Sequence, residues 1–145
     1  MNFFKWIGKY KQTRNLKKWI KALRSGKYKQ TYFALVREKD VRDLGGEILP
    51  AGHCSLGVAA EVIGCPGKYP NMQTFGLTWR DQDNLMIMND SERKTFAEIA
   101  DYLEGEQSRR RVMALYDAAR QSAPPRVALS RHVGKNAKGE DYGSY

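Results

Sequence analysis

Apolar positions in "NLKKWIKALRSG", residues 15–26, fall at Leu16, Trp19, Ile20 and Leu23. That i, i+3, i+4, i+7 spacing lines up on one face of an α-helix, so the segment is predicted to be helical with this stripe inward. Asn15 is placed to cap its start, and Gly26 suits a left-handed end. Ahead of it, "NFFKWIGKYK" gathers Phe3, Phe4, Trp6, Ile7 and Tyr10 on one arc opposite Lys5 and Lys9. Gly8 weakens that segment, which is read as a separate basic amphipathic arm over residues 1–12. "TYFALVRE" is rich in β-formers and predicts a strand, with the turn pair Gly45-Gly46 after it.

"HCSLGVAAEVIG", residues 53–64, reads as a helix capped by Ser55, with Leu56, Ala59, Ala60 and Ile63 on its stripe. Gly57, Ala59 and Ala60 leave room for another element to approach closely, and Gly64 with Pro66 ends the helix. "TFGLTW" and "NLMIM" predict two short strands around a hairpin-like "RDQD". In "TFAEIADYLEG", Thr95 and Glu98 form a capping box, and Phe96, Ile99 and Leu103 supply the buried stripe. "QSRRRVMALYDAARQ" predicts a last helix with Val112, Leu115, Tyr116 and Ala119 inward, stopped by Pro124-Pro125. The order predicts one small α+β domain over residues 13–122, its helices packed on a short antiparallel sheet. Residues 123–145 are weakly apolar and are expected to form a mobile tail.

A chain of 145 residues is long enough to bury one core of its own. Its longest nearly apolar run, Ser55 to Gly64, contains Glu61 and falls far short of a membrane span, and "MNFFKWIGKYKQ" lacks the pattern of a cleavable signal. The two cysteines, Cys54 and Cys65, flank the predicted helix. At 1.5 Å per residue they stand roughly 15 Å apart, too far for a disulfide, so free thiols and a cytoplasmic setting are expected.

Charge changes the picture. The net charge of +9 is unevenly placed: residues 1–37 carry eleven Lys or Arg and no acid, whereas residues 38–145 carry fourteen bases against sixteen acids. Half of the aromatic residues also lie in that first quarter. A cationic, aromatic-rich region calls for an anionic partner. The candidate contacts are Lys5, Lys9, Lys11, Arg14, Lys17, Lys18, Lys21, Arg24, Lys27 and Lys29, extended by Arg109, Arg110 and Arg111 if the last helix folds alongside. Trp19 belongs to the buried stripe and is read as core, not as a stacking surface.

Three segments together resemble a known pattern. Trp19, Ala22, Leu23, Arg24, Ser25, Gly26, Tyr28 and Gln30 fit the first; Cys54, Leu56, Gly57 and Val58 fit the second. Asn89, Asp90, Phe96, Ile99, Ala100 and Asp101 fit the third. In this order, over about residues 17–104, the chain resembles a family of small hypothetical proteins of bacteriophages and prophages. The family commonly carries further cysteines where this chain has Ser55 and Ala60. That departure argues against chemistry needing clustered thiols. The resemblance implies a phage-type viral accessory protein acting inside a bacterial host, and it brings no activity with it.

A catalytic reading is available at Cys54. A helix N-terminus and the neighbouring His53 would both lower a thiol pKa, and Asn89 or Asp90 could orient a base. Against it, adjacent residues of an extended segment point to opposite sides, and the other histidine, His132, lies in the tail. Cys54 is therefore read as a buried structural thiol and Asn89-Asp90 as a turn, with a Cys54-dependent enzyme as the alternative. The histidines and cysteines match no zinc spacing, no glycine-rich phosphate loop is present, and no metal or cofactor is implied. The leading expectation is a non-enzymatic protein binding nucleic acid or an acidic host protein through its basic N-terminal region. A membrane-surface protein held by Phe3, Phe4, Trp6 and Ile7 is the third reading.

Overall fold

The computed structural model describes residues 3–122, with side chains from residue 7 onward. Expectations for the tail and for the side chains of Phe3, Phe4, Lys5 and Trp6 lie outside the described residues. The architecture is α+β: helices surround a core beside a small antiparallel ribbon. The chain divides into two compact units after Arg111, and the core and the sites lie in the first.

Helix α1 runs without interruption from Phe3 to Arg24, so the arm and the second helix are one element. Gly8 costs helix propensity but meets no steric obstacle there, and helix continues through it. Asn15 lies inside the helix, where its Nδ2 donates to Thr74 O at 3.3 Å instead of capping. The inward stripe is as expected: Leu16, Trp19, Ile20 and Leu23 are buried. Gly26 adopts the left-handed conformation at φ 70°.

The expected strand over "TYFALVRE" shrinks to β1, Val36–Arg37, because Phe33 takes a left-handed φ of 58° that breaks extended geometry. β1 pairs antiparallel with β4, Gly52–His53, and inside that pair β2, Val41–Arg42, meets β3, Ile48–Leu49. The two ladders nest into one interrupted ribbon whose register shifts by one residue between them. Asp40 Oδ1 accepts from Ala51 N at 2.7 Å across the interruption.

Helix α2, Ser55–Val62, packs against α1 and presses its first turn against the chain at Leu35. A Cβ on Gly57 would lie 1.9 Å from Leu35 O, so only glycine fits. Trp19 ties the two helices by donating Nε1–H to Ser55 O at 3.0 Å, and its ring meets Phe75 at 4.9 Å.

The predicted hairpin at 74–88 is helical. A 3-10 turn, Met72–Phe75, ends at Gly76 with φ 71° and leads to α3, Trp79–Met86, and a π-turn over Ile87–Ser91. Apolar residues in that stretch fit alternation, but a capping box between Thr78 and Asp81 nucleates helix locally. The Thr95–Glu98 capping box is present as expected. It starts α4, Phe96–Ser122, in which Phe96, Ile99 and Leu103 are buried. α4 also absorbs the expected last helix. Val112, Leu115, Tyr116 and Ala119 are exposed on it and not inward, because that part of the helix belongs to the second unit and has no core of its own among the described residues.

Candidate functional site

Burying Leu16, Trp19, Ile20 and Leu23 fixes the rotation of α1. At 100° per residue the opposite face then carries Lys11, Arg14, Lys17, Lys18 and Lys21, and all five are exposed. Lys9 on the preceding turn is exposed, as are Lys27 and Lys29 beyond Gly26. Lys27 Nζ sits 5.2 Å from the centroid of the Tyr28 ring. None of these cations is in an ion pair among the described residues.

Three of the predicted contacts are engaged elsewhere. Arg24 bonds Glu104 through both of its terminal nitrogens, at 2.5 and 2.9 Å, and also bonds Asp101. Hydrogen bonds to Glu104 and then Asp101 hold the Arg24 guanidinium above its ordinary pKa, and Arg24 holds the Glu104 carboxyl below its own. Arg109 pairs with Glu106 one turn back. Arg110 reaches Asp81 at 2.5 Å and donates to Gly76 O. The acids of α4's first turns and of α3 thus neutralise these arginines, while Arg111 is exposed. Between α1 and α4, Lys17, Ile20, Lys21, Ser25 and Gln107 border an open groove of about 600 Å³.

The thiol site is arranged differently. Cys54, not Ser55, is the N-cap of α2: its Sγ accepts from Gly57 N at 3.4 Å and its N–H donates to Leu35 O at 3.0 Å. It is 8% exposed. Burial pushes the Cys54 thiol up, against the downward pull of the Gly57 and Leu56 N–H groups, and the nearby Asp90 charge adds to the rise. His53 does not serve it. Its Nε2 lies 3.5 Å from Glu61 Oε1 and its ring packs edge-on against Tyr28 at 5.1 Å.

Asn89 and Asp90 form a joint. Asn89, 1% exposed, accepts through Oδ1 from Gln30 Nε2 at 3.1 Å and Ser55 N at 3.3 Å. Its Nδ2 donates to Thr31 O at 2.9 Å and Asp90 Oδ1 at 2.7 Å. Asp90 Oδ1 also accepts from Phe33 N at 2.9 Å, which holds that residue in its left-handed conformation. Among the described residues, no three His, Cys, Asp or Glu side chains converge as a metal site.

A pocket of about 260 Å³ opens beside this joint. Leu35, Leu56 and Met86 give it apolar walls, Phe33 and Tyr69 stand exposed on its lining, and Cys54, Ser55 and Asp90 add polar groups. Ser55 Oγ is buried with no hydrogen-bond partner among the described residues. Arg93, left-handed like Phe33 at φ 54°, lays its guanidinium 4.1 Å from the Tyr32 ring centroid and 5.6 Å from that of Phe33. No sequence pattern flags Phe33, Tyr69 or Ser55 as site residues: left-handed backbone at Phe and Arg has no compositional signature, and the walls come from four separate segments. The closest signal is the aromatic-and-lysine run "KYKQTYF". Comparison of the chain with protein-family models, with curated proteins and with solved structures finds no match in any of the three.

Proposed function

We propose that this protein binds nucleic acid through the outward face of α1, as a phage-type accessory protein working in the cytoplasm of a bacterial host. One observation carries the binding reading: Lys11, Arg14, Lys17, Lys18 and Lys21 project from one helix face without a carboxylate partner among the described residues. Carboxylates do reach Arg24, Arg109 and Arg110, and none reaches this face among the described residues. Like charges one turn apart repel, and a polyanion relieves that repulsion while releasing its own counterions. The phage-type setting rests on the three segments around Trp19, Cys54 and Asn89.

The thiol-enzyme alternative loses support on chemical grounds. A nucleophile needs thiolate, and Cys54 is held as thiol by burial while its sulfur caps a helix.

The test is fluorescence anisotropy with a labelled 20-nucleotide single strand and a duplex between 50 and 300 mM NaCl. Five to seven phosphate contacts predict a log–log salt slope of about −5. Lys17→Glu/Lys18→Glu/Lys21→Glu should weaken binding at least tenfold and flatten the slope. Absent binding, or tight binding indifferent to salt, overturns the reading. A nuclease-resistant complex with an acidic host protein, without nucleic-acid binding, would transfer the face to that partner; recruitment to anionic liposomes alone would transfer it to a membrane surface.

A further inference from the structure

The pocket beside Phe33 points to more than phosphate contact. We propose that it receives one base of a single strand, and prefers a base with an exocyclic amino group. This inference rests on the nucleic-acid reading and concerns a different part of the molecule.

Size comes first. At about 260 Å³ the pocket is smaller than the sites that enclose drug-sized ligands, and it suits a single ring system. Two rings on its lining are open to solvent: Phe33 is 60% exposed and Tyr69 59% exposed. Exposed aromatic faces that border a cavity are the surfaces on which unpaired bases stack. Phe33 is held there by a specific device, since Asp90 Oδ1 accepts its backbone N–H at 2.9 Å in a left-handed conformation that bulky residues rarely adopt.

Charge then decides which end of a nucleotide enters. The lining contains the Asp90 carboxylate, which repels a phosphate and accepts from an N–H donor. Its Oδ1 is occupied by Phe33 and Asn89, whereas no hydrogen bond reaches Oδ2 among the described residues. The cations lie outside. Lys27 and Lys29 are exposed on the chain leading from α1 to Phe33, and exposed Lys68 precedes Tyr69. An amino-bearing ring inward and its phosphates outward satisfy both sets of charges. A carboxylate is the side chain that matches the amino donor of cytosine, and thymine and uracil present a carbonyl at the same position.

Cytosine against thymine or uracil is therefore the cleanest comparison, because the rings are of similar size. Anisotropy with labelled dC12, dT12, rC12, rU12 and an abasic 12-mer is measured with the full chain at pH 7.5 and 150 mM NaCl. The cytosine strands should bind at least fivefold tighter than the thymine, uracil or abasic strands. Tyr69→Ala, on an exposed loop side chain, should bring cytosine affinity down to the thymine level and leave the salt slope unchanged. Phe33→Ala serves as the second variant, checked for folding by circular dichroism. Equal affinity for all strands, with Tyr69→Ala silent, overturns the base pocket while salt-dependent binding to α1 stands. Loss of all binding to every strand overturns both readings.

Discussion

Gly57→Ala is the sharpest perturbation of the site's scaffold. Alanine is the better helix former by about 1 kcal/mol, so propensity alone predicts a more stable protein. The structure predicts the reverse. A Cβ at residue 57 would sit 1.9 Å from Leu35 O and 2.9 Å from Leu35 C, both backbone atoms. Neither can swing aside, because Leu35 O also accepts the Cys54 N–H at 3.0 Å. Relief requires α2 to move away from the Leu35 segment, which opens the core at Leu56 and Val58. Overpacking of this kind costs about 1–3 kcal/mol or more, and contact with backbone belongs at the upper end. Offset by the propensity gain, the net loss is about 2 kcal/mol, or roughly 8 °C in Tm for a domain of this size. Gly105→Ala is the control. It lies in α4 with nothing within 4 Å of the added Cβ, so propensity should act alone and raise Tm by up to about 4 °C. Thermal melts by circular dichroism, with urea midpoints at constant m-value, measure both. A Gly57→Ala protein melting at or above the wild type would refute the packing argument.

Two further outcomes follow from the same geometry. Iodoacetamide at pH 7.5 should modify half-buried Cys65 well before Cys54, whose thiol is buried and raised in pKa; peptide mass spectrometry reads the order, and rapid Cys54 labelling would revive the nucleophile reading. Asp81 should contribute acid-sensitive stability. Burial alone would raise its carboxyl, but the Thr78 N–H and hydroxyl together with Arg110 hold it below its ordinary 3.8. The contribution is thus complete above about pH 3.8 and lost as pH falls through the lower folded value. Asp81→Asn should lower Tm near neutrality and narrow the gap between neutral and acid Tm; parallel pH curves for the two proteins would exclude this.

The legible parts of the fold were those in which one local signal stood without a competitor. The stripe at Leu16, Trp19, Ile20 and Leu23 has helical spacing and nothing else, and Thr95 with Glu98 is a complete capping box. At 74–88 two signals competed. Apolar alternation in "TFGLTW" and "NLMIM" suggested strands, while Thr78 and Asp81, three apart, were a cap that bonds at 2.7 Å. The cap prevailed because it satisfies backbone donors at once, whereas a strand there needed a partner. Val112, Leu115, Tyr116 and Ala119 show the limit of periodicity: their spacing is helical and they are in a helix, yet a stripe states only that a partner is compatible, not that one is present. The basic face was legible as composition. Which arginines are neutralised was not, because Arg24 meets acids 77 and 80 residues away.

The joint at Asn89 relates the closed thiol to the open pocket. Its Oδ1 takes the Ser55 N–H, and Cys54 Sγ takes that of Gly57, so two first-turn donors of α2 are already occupied. A helix N-terminus with free donors attracts an anion; this one has fewer to offer and an aspartate beside it. A thiolate at Cys54 would meet the same carboxylate, and so would a phosphate. On the proposed reading, the place takes a neutral ring with hydrogens to donate. Charge is thereby sorted along the chain: Lys11, Arg14, Lys17, Lys18 and Lys21 of α1 with Lys27 and Lys29, without ion-pair partners among the described residues, and a carboxylate at the pocket that follows them. An acidic protein answers only the first half of that arrangement. The proposed single strand, with its charge on the outside and its amino-bearing bases free to turn inward, would answer both.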